Sequence, residues 1–321
     1  MGRSIDASEL GRRIRQGDRL ALARLLSLIE SGDRAALECA FEIPVADDAQ
    51  VVGFTGAPGV GKSTLIDAVV ASLRSEGARV GVLAVDPSSP CSGGALLGDR
   101  VRMMRHVGDC DVFIRSLANR GHLGGLAAAL PAVVHTVAAC GFSTLLIETV
   151  GVGQAEVDIA RHADTTVVVV TPGMGDAVQT SKAGILEIAD VLIVNKSDRG
   201  GVREAVRDLR DMLHLKPRSP GGWQVPVLVT RADTGDEVGD VVLALREHRD
   251  HVAATGELRR AHNARAIAAF ESYAVVRLFD WLEKVLDSQH GRDLMERVGT
   301  GELSPVTAAD ELLVNVRASS V

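Results

Sequence analysis

Gly56-Ala57-Pro58-Gly59-Val60-Gly61-Lys62-Ser63-Thr64 decides the fold of this chain. The stretch fits G-x-x-x-x-G-K-[ST], a phosphate-binding loop, provided a strand precedes it and a helix follows. Val51-Val52-Gly53-Phe54-Thr55 before it is a short apolar, β-favouring run, and Leu65 to Leu73 after it has helical spacing. Strand, glycine-rich turn and helix start together aim backbone N–H groups and a positive dipole end at phosphate oxygens. Gly56, Gly59 and Gly61 let the backbone come close, Lys62 is expected to reach the β- and γ-phosphates, and the Ser63 hydroxyl to ligate magnesium. The loop implies a bound nucleoside triphosphate and is silent on which base and for what purpose.

Outward from the loop, residues 51–252 alternate short apolar runs with amphipathic segments. Val80–Val85, Thr144–Glu148, Thr165–Thr171, Val191–Val194 and Val225–Thr230 read as strands, and Gly125–Ala139 and Val202–Leu213 as helices. Near-continuous apolar strands separated by helices predict an α/β fold, a P-loop NTPase with a mainly parallel, doubly wound sheet. Residues 1–50 read as a helical N-terminal extension, with Ala21–Glu30 at helical spacing. Residues 253–321 read as a C-terminal helical arm: Leu258–Leu286 carries Phe270, Tyr273, Val276, Phe279 and Leu282 at three- or four-residue steps. That stripe suits either a core or a dimer contact. Ser304-Pro305 opens a final short helix, Ser as N-cap and Pro in the first turn.

The composition narrows the partners. A formal charge of −7 argues against a nucleic-acid-coating surface, and 3% aromatics leave little for base stacking. No apolar run reaches the roughly 18 residues of a membrane span, and the start of the chain has no signal-peptide core, so a cytoplasmic location is expected. Cys39, Cys91, Cys110 and Cys140 form no C-x-x-C, so neither a disulfide framework nor a zinc knuckle is indicated.

The base is read from Asn195-Lys196-Ser197-Asp198 at the end of the strand Val191–Val194. In an N-K-x-D guanine reader, Asp198 accepts hydrogen bonds from the ring N–H and exocyclic amine of guanine, which adenine does not offer. Lys196 lays its stem along the base and Asn195 braces the loop. A wrong base leaves the carboxylate unpaired, so GTP and GDP are expected over ATP. Val229-Thr230-Arg231-Ala232-Asp233, with Arg231 and Ala232 as the candidates, stands where a backbone contact to the guanine oxygen belongs, or is an ordinary strand-to-helix loop.

Glu148-Thr149-Val150-Gly151 is the candidate second phosphate sensor, an E-x-x-G where small Ras-like GTPases use D-x-x-G. Glu148 would act on magnesium directly or through water, and Gly151 would give its N–H to the γ-phosphate. Val152 follows Gly151 in place of the water-orienting Gln of Ras-like proteins; Gln154 is the candidate substitute, or a cap for the next helix, and slow intrinsic hydrolysis is expected. The Gly-, Pro- and Ser-rich stretch Asp86 to Arg100 is a candidate switch, with Asp86 and Asp99 as further candidates for magnesium or the attacking water, or as a cap and a loop acid.

Asp86-Pro87-Ser88-Ser89-Pro90, Gly98-Asp99-Arg100-Val101-Arg102-Met103, Arg120 to Gly125 and Glu148 to Gln154 together resemble the MeaB/ArgK family over nearly the whole chain. These are GTPase chaperones of adenosylcobalamin-dependent methylmalonyl-CoA mutase. Cys91, Ala155 and Ser197 depart from residues common in that family, and none removes a proposed ligand. The resemblance implies a homodimer joined largely through the C-terminal arm. It also implies a complex with the mutase, or a related acyl-CoA mutase, in which GTP hydrolysis is coupled to cofactor loading and protection. No kinase catalytic loop supports the older description of such proteins as transport kinases, and cobalamin is expected to belong to the partner.

Two other readings are kept. A nickel-delivery maturation GTPase shares the E-x-x-G variation but needs closely spaced soft or imidazole donors. Here the cysteines are scattered, and His135 and His162 suit structural or surface roles. A non-hydrolysing nucleotide-dependent scaffold would leave the magnesium and water-positioning groups idle.

Overall fold

The computed structural model describes residues 6–45, 49–86, 104–106, 108–118, 125–149, 159–173, 187–215 and 221–319. Seven strands make one sheet: β1 (Gln50–Thr55), β2 (Val80–Asp86), β3 (Val112–Ala118), β4 (Thr144–Thr149), β5 (Thr165–Val170), β6 (Val191–Val194) and β7 (Val227–Val229). Their order is β3-β2-β4-β1-β5-β6-β7, and every adjacent pair is parallel. The expected α/β P-loop architecture is therefore present. After β1 the chain moves to one side of the sheet, and after β4 it crosses back to the other.

Burial on both sheet faces accounts for the apolar runs. Val167 and Val169 of β5 join the core beneath α4 (Lys62–Ser75) and α7 (Val238–Ala254). Val168, between them, joins the core beneath α6 (Val202–His214). The α4 core is anchored by Phe54, Leu65, Ile66 and Val69, all fully buried. Truncating Phe54 to Ala would cost about 3–5 kcal/mol.

The N-terminal extension is three helices rather than the one the spacing singles out: α1 (Ala7–Arg15), α2 (Arg19–Glu30) and α3 (Arg34–Glu42). Asp6, Asp18 and Asp33 each accept from first-turn N–H groups, so three aspartate N-caps set the three starts. These helices pack on α5 (Gly125–Ala139).

Two elements escape the periodicity reading. β3 is an edge strand whose Arg115 and Ser116 break the apolar run. Arg115 reaches α2, its Nε 2.6 Å from Glu30 Oε1 and a terminal nitrogen 3.1 Å from the Ala23 carbonyl. Arg19 donates at 2.7 Å to the carbonyl of Val112. A polar pattern here serves a helix-to-edge contact.

The second is α9 (Gln289–Gly299) in the C-terminal part. The chain divides into two compact units, 1–269 and 270–321, with α8 (Glu257–Leu286) running through the boundary. In the second unit α9 packs on α10 (Pro305–Ser319), around Leu294, Ala308 and Leu312. Ser304 Oγ accepts from the Thr307 N–H at 3.1 Å, the expected N-cap. The helix it opens is 15 residues long, more than the short one expected. In the aromatic stripe, Phe270 is 71% exposed and Phe279 38%.

Candidate functional site

β1 delivers the chain into the phosphate loop, and α4 begins at Lys62. Gly56 and Gly61 have φ of 139° and 94°, which only glycine adopts without strain. Space forbids a side chain as well: a Cβ on Gly56 would sit 2.2 Å from the Val169 carbonyl oxygen, and one on Gly61 2.5 Å from Asn195 Nδ2. Gly61 is the N-cap of α4 and provides no capping side chain, so the helix start is left to other acceptors. Lys62 is buried and curls back over the loop, its Nζ donating to the carbonyl of Gly56 and, at 3.3 Å, to that of Ala57.

Ser63 and Glu148 meet across the sheet. β4 pairs with β1, with Phe54 opposite Glu148, so the acid stands beside the strand that feeds the loop. The Ser63 hydroxyl donates to Glu148 Oε1 at 2.6 Å, and both residues are buried. Two oxygens, one on a buried carboxylate, are thus close enough to share one small hard cation, and oxygen donors suit magnesium.

Beyond the phosphate loop lies the N-K-x-D segment. Asn195 is 2% exposed. Its Nδ2 donates at 2.9 Å to the Val60 carbonyl, 135 positions away. Its Oδ1 accepts from Thr230 Oγ1 and from the Ala232 N–H, both at 3.2 Å. Lys196 has φ of 62°, left-handed for a non-glycine residue, and its Nζ donates to the Gly59 carbonyl at 2.6 Å. Asp198 is exposed at the end of this turn. Arg231 Nε donates to Asp233 Oδ1 at 3.2 Å, while Ala232 is buried. The phosphate loop, the N-K-x-D segment and the loop after β7 therefore form one hydrogen-bonded unit centred on Asn195.

Thr230 falls in the segment singled out after the last strand, but its bonding to Asn195 escapes the sequence reading. It is fully buried; its N–H donates to the Val194 carbonyl at 3.0 Å and its carbonyl accepts from the Ser197 N–H at 3.1 Å. A threonine closing a strand that ends beside an N-K-x-D was the available signal. Pro58 and Thr64 are exposed within the loop, and Val60 is buried. Asp86 ends β2, opposite Ala118 of β3 and one residue beyond the pairing of Val85 with Thr149. Its main chain thus lies at the same carboxyl end of the sheet as Glu148. Asp99, Gly151 and Gln154 lie outside the described residues.

Among the described residues, Asp109, Cys110 and Asp111 place three donor atoms near one another. Arg74 engages both acids, at 2.8 Å and 3.0 Å, and Arg79 lies 3.3 Å from Asp111, so the two carboxylates are already met by two cations of the chain. His135 Nε2 contacts the Ile43 carbonyl at 2.8 Å, a structural role. No helix among the described residues is long and apolar enough to cross a membrane.

With this geometry in view, comparison with known proteins is informative. Residues 22–285 match the model of the family described as methylmalonyl-CoA mutase-associated GTPase MeaB. The chain is 40% identical over 311 residues to a provisionally named GTPase of Pyrococcus abyssi, covering 96% of each. It is 32% identical over 311 residues to GTPase ArgK of Escherichia coli, covering 94% of each. The solved structure of a LAO/AO transport system kinase is similar over 99% of both chains, with 26% identity and a TM-score of 0.66.

Proposed function

The chain belongs to the methylmalonyl-CoA mutase-associated GTPase family, and from that premise we propose that it binds GTP with magnesium and hydrolyses it as the timer of a chaperone cycle. The client is an adenosylcobalamin-dependent acyl-CoA mutase, methylmalonyl-CoA mutase first among them. The observation that carries the reading is the Asn195 amide, bonded to the phosphate loop at one end and to the loop after β7 at the other. This bond pattern ties the N-K-x-D segment to the phosphate loop, which supports a site in which guanine selectivity through Asp198 and grip on the phosphates through Lys62 act together.

Ser63 and Glu148 are the residues that would hold magnesium, supported by their 2.6 Å contact in a buried setting. Once bound, magnesium supplies charge neutralisation at the β- and γ-phosphate oxygens. Lys62 adds a positive charge to the same oxygens when a ligand replaces its contacts to Gly56 and Ala57. Asp86 and Asp99 are proposed as further magnesium or water groups, Gly151 as a γ-phosphate donor and Gln154 as the water-orienting residue. The protein acts as a cytoplasmic homodimer, a reading supported by the exposed Phe270, Leu278 and Val306 on the C-terminal helices.

The test is calorimetric titration with GTP, GDP and ATP, followed by phosphate-release assays with and without the mutase. The expected result is guanine nucleotide bound at least about 100-fold more tightly than ATP, and slow hydrolysis that the mutase accelerates. Lys62→Ala should bind neither nucleotide. Equal affinity for ATP overturns the base reading. Absence of phosphate release in both conditions overturns the hydrolytic reading, and indifference to the mutase overturns the partner.

A further inference from the structure

Asp67 is an acid where a helix does not need one. It lies inside α4 between Ile66 and Ala68, in a run of buried apolar residues, and is itself 8% exposed. Aspartate is a poor residue for a helix interior and an expensive one to bury. Such a local conflict points to a purpose elsewhere.

Its partners both come from one 3₁₀ turn, Met104–His106. Arg105 Nε lies 2.6 Å from Asp67 Oδ2. His106 Nε2 hydrogen-bonds the main-chain oxygen of Asp67 at 3.2 Å and lies 3.0 Å from Oδ1 without a hydrogen bond to it. The His106 side chain is 9% exposed and that of Asp67 12%, so this contact is shielded from solvent as a surface pair is not. The seam continues two turns on, where Arg74 pairs with Asp109 and Asp111.

The direction of the seam matters. Ser63, Asp67 and Arg74 fall on one stripe of α4, at steps of four and seven residues. The stripe begins at the hydroxyl that meets Glu148. Its partners begin at Arg105, six residues along the chain from Asp99. One face of a single rigid helix therefore carries both the Ser63 hydroxyl and the anchor for the segment that follows the candidate switch.

We propose that Asp67 is a positioning residue for GTP hydrolysis, fixing the turn that carries Arg105 and His106 against the helix that presents Lys62 and Ser63. It touches no nucleotide and acts through His106 and Arg105. The proposal rests on the GTPase reading above.

The test compares Asp67→Asn, Asp67→Glu, His106→Gln and the double variant Asp67→Asn/His106→Gln with the wild-type protein. GDP affinity, melting temperature and single-turnover GTP hydrolysis are measured for each. The expected result is a drop of about tenfold in the hydrolysis rate for Asp67→Asn and His106→Gln, with GDP affinity within about threefold of wild type. The double variant should be no slower than the worse single one, since both loosen the same turn from α4, and Asp67→Glu, which keeps the charge for Arg105, should recover part of the rate. A wild-type rate in Asp67→Asn overturns the proposal. So does a parallel loss of GDP affinity and rate, which would make the seam a general support of the phosphate loop. A wild-type protein that binds GTP but releases no phosphate overturns the GTPase reading itself, and this inference with it.

Discussion

At Asn195 both ends of one amide are committed to the chain: the donor end to Val60, the acceptor end to Thr230 and Ala232. Asp198, by contrast, is exposed and available to a base. This division of labour yields a sharp expectation. Replacing Asp198 with Asn turns one acceptor into a donor, which suits the 2-oxo group of xanthine and opposes the amine of guanine. Asp198→Asn should lose about 100-fold or more in GTP affinity and bind xanthosine triphosphate in its place, as competition titrations will read. Retained GTP selectivity would sink the base assignment. Lys62, Ser63 and Asn195 could be singled out from the sequence because the chemistry proposed for them is tied to fixed spacings beside strand ends. The bonding of Thr230 and of Asp67 could not, because a buried threonine or an acid within a helix has no motif, and each acquires meaning only from the atoms it meets.

Among elements, the start of β1 is held by a compact ionic joint. Asp164, with 2% of its side chain exposed, accepts from the Val51 N–H at 2.8 Å through Oδ2 and from Arg265 through Oδ1, with His262 Nε2 3.4 Å away. Burial pushes the Asp164 carboxyl up, but the His262 hydrogen bond, the Arg265 charge and the Val51 N–H together hold it below its ordinary value of 3.8. A carboxyl depressed in the folded state stabilises fully above its unfolded value. That stabilisation is lost as pH falls from about 3.8 through the lower folded value. Asp164→Asn should therefore destabilise the protein by about 3 kcal/mol near neutral pH, because Arg265 loses its counter-charge in a mostly buried setting. Denaturant midpoints followed from pH 7 downward should show the gap to wild type closing below that range. A gap that stays constant into acid would refute the titration argument. The sequence marked the strands that are buried on both faces, since Val167 to Val169 are apolar throughout. It did not mark β3, where Arg115 serves an edge contact to Glu30 and Ser27 of α2.

For the whole molecule, the open question is assembly. Phe270 is 71% exposed, Leu278 62% and Val306 74%, more apolar surface on the C-terminal helices than a lone chain needs to show. If these side chains join two copies, Phe270→Glu with Leu278→Glu should give a monomer in light scattering, with GDP affinity within about threefold of wild type, since neither residue belongs to the phosphate or base loops. A double variant that remains dimeric would place the interface elsewhere. By itself the sequence determined the phosphate loop, the choice of guanine, the parallel sheet and the family resemblance. Each of these is encoded locally, in a spacing along one strand, one turn or one helix. Only the tertiary structure decided that Ser63 meets Glu148, that Asn195 joins three loops, and that Asp67 is tied to the turn beyond the candidate switch. Those contacts join residues far apart along the chain, and the order in which the strands lie side by side brings them together.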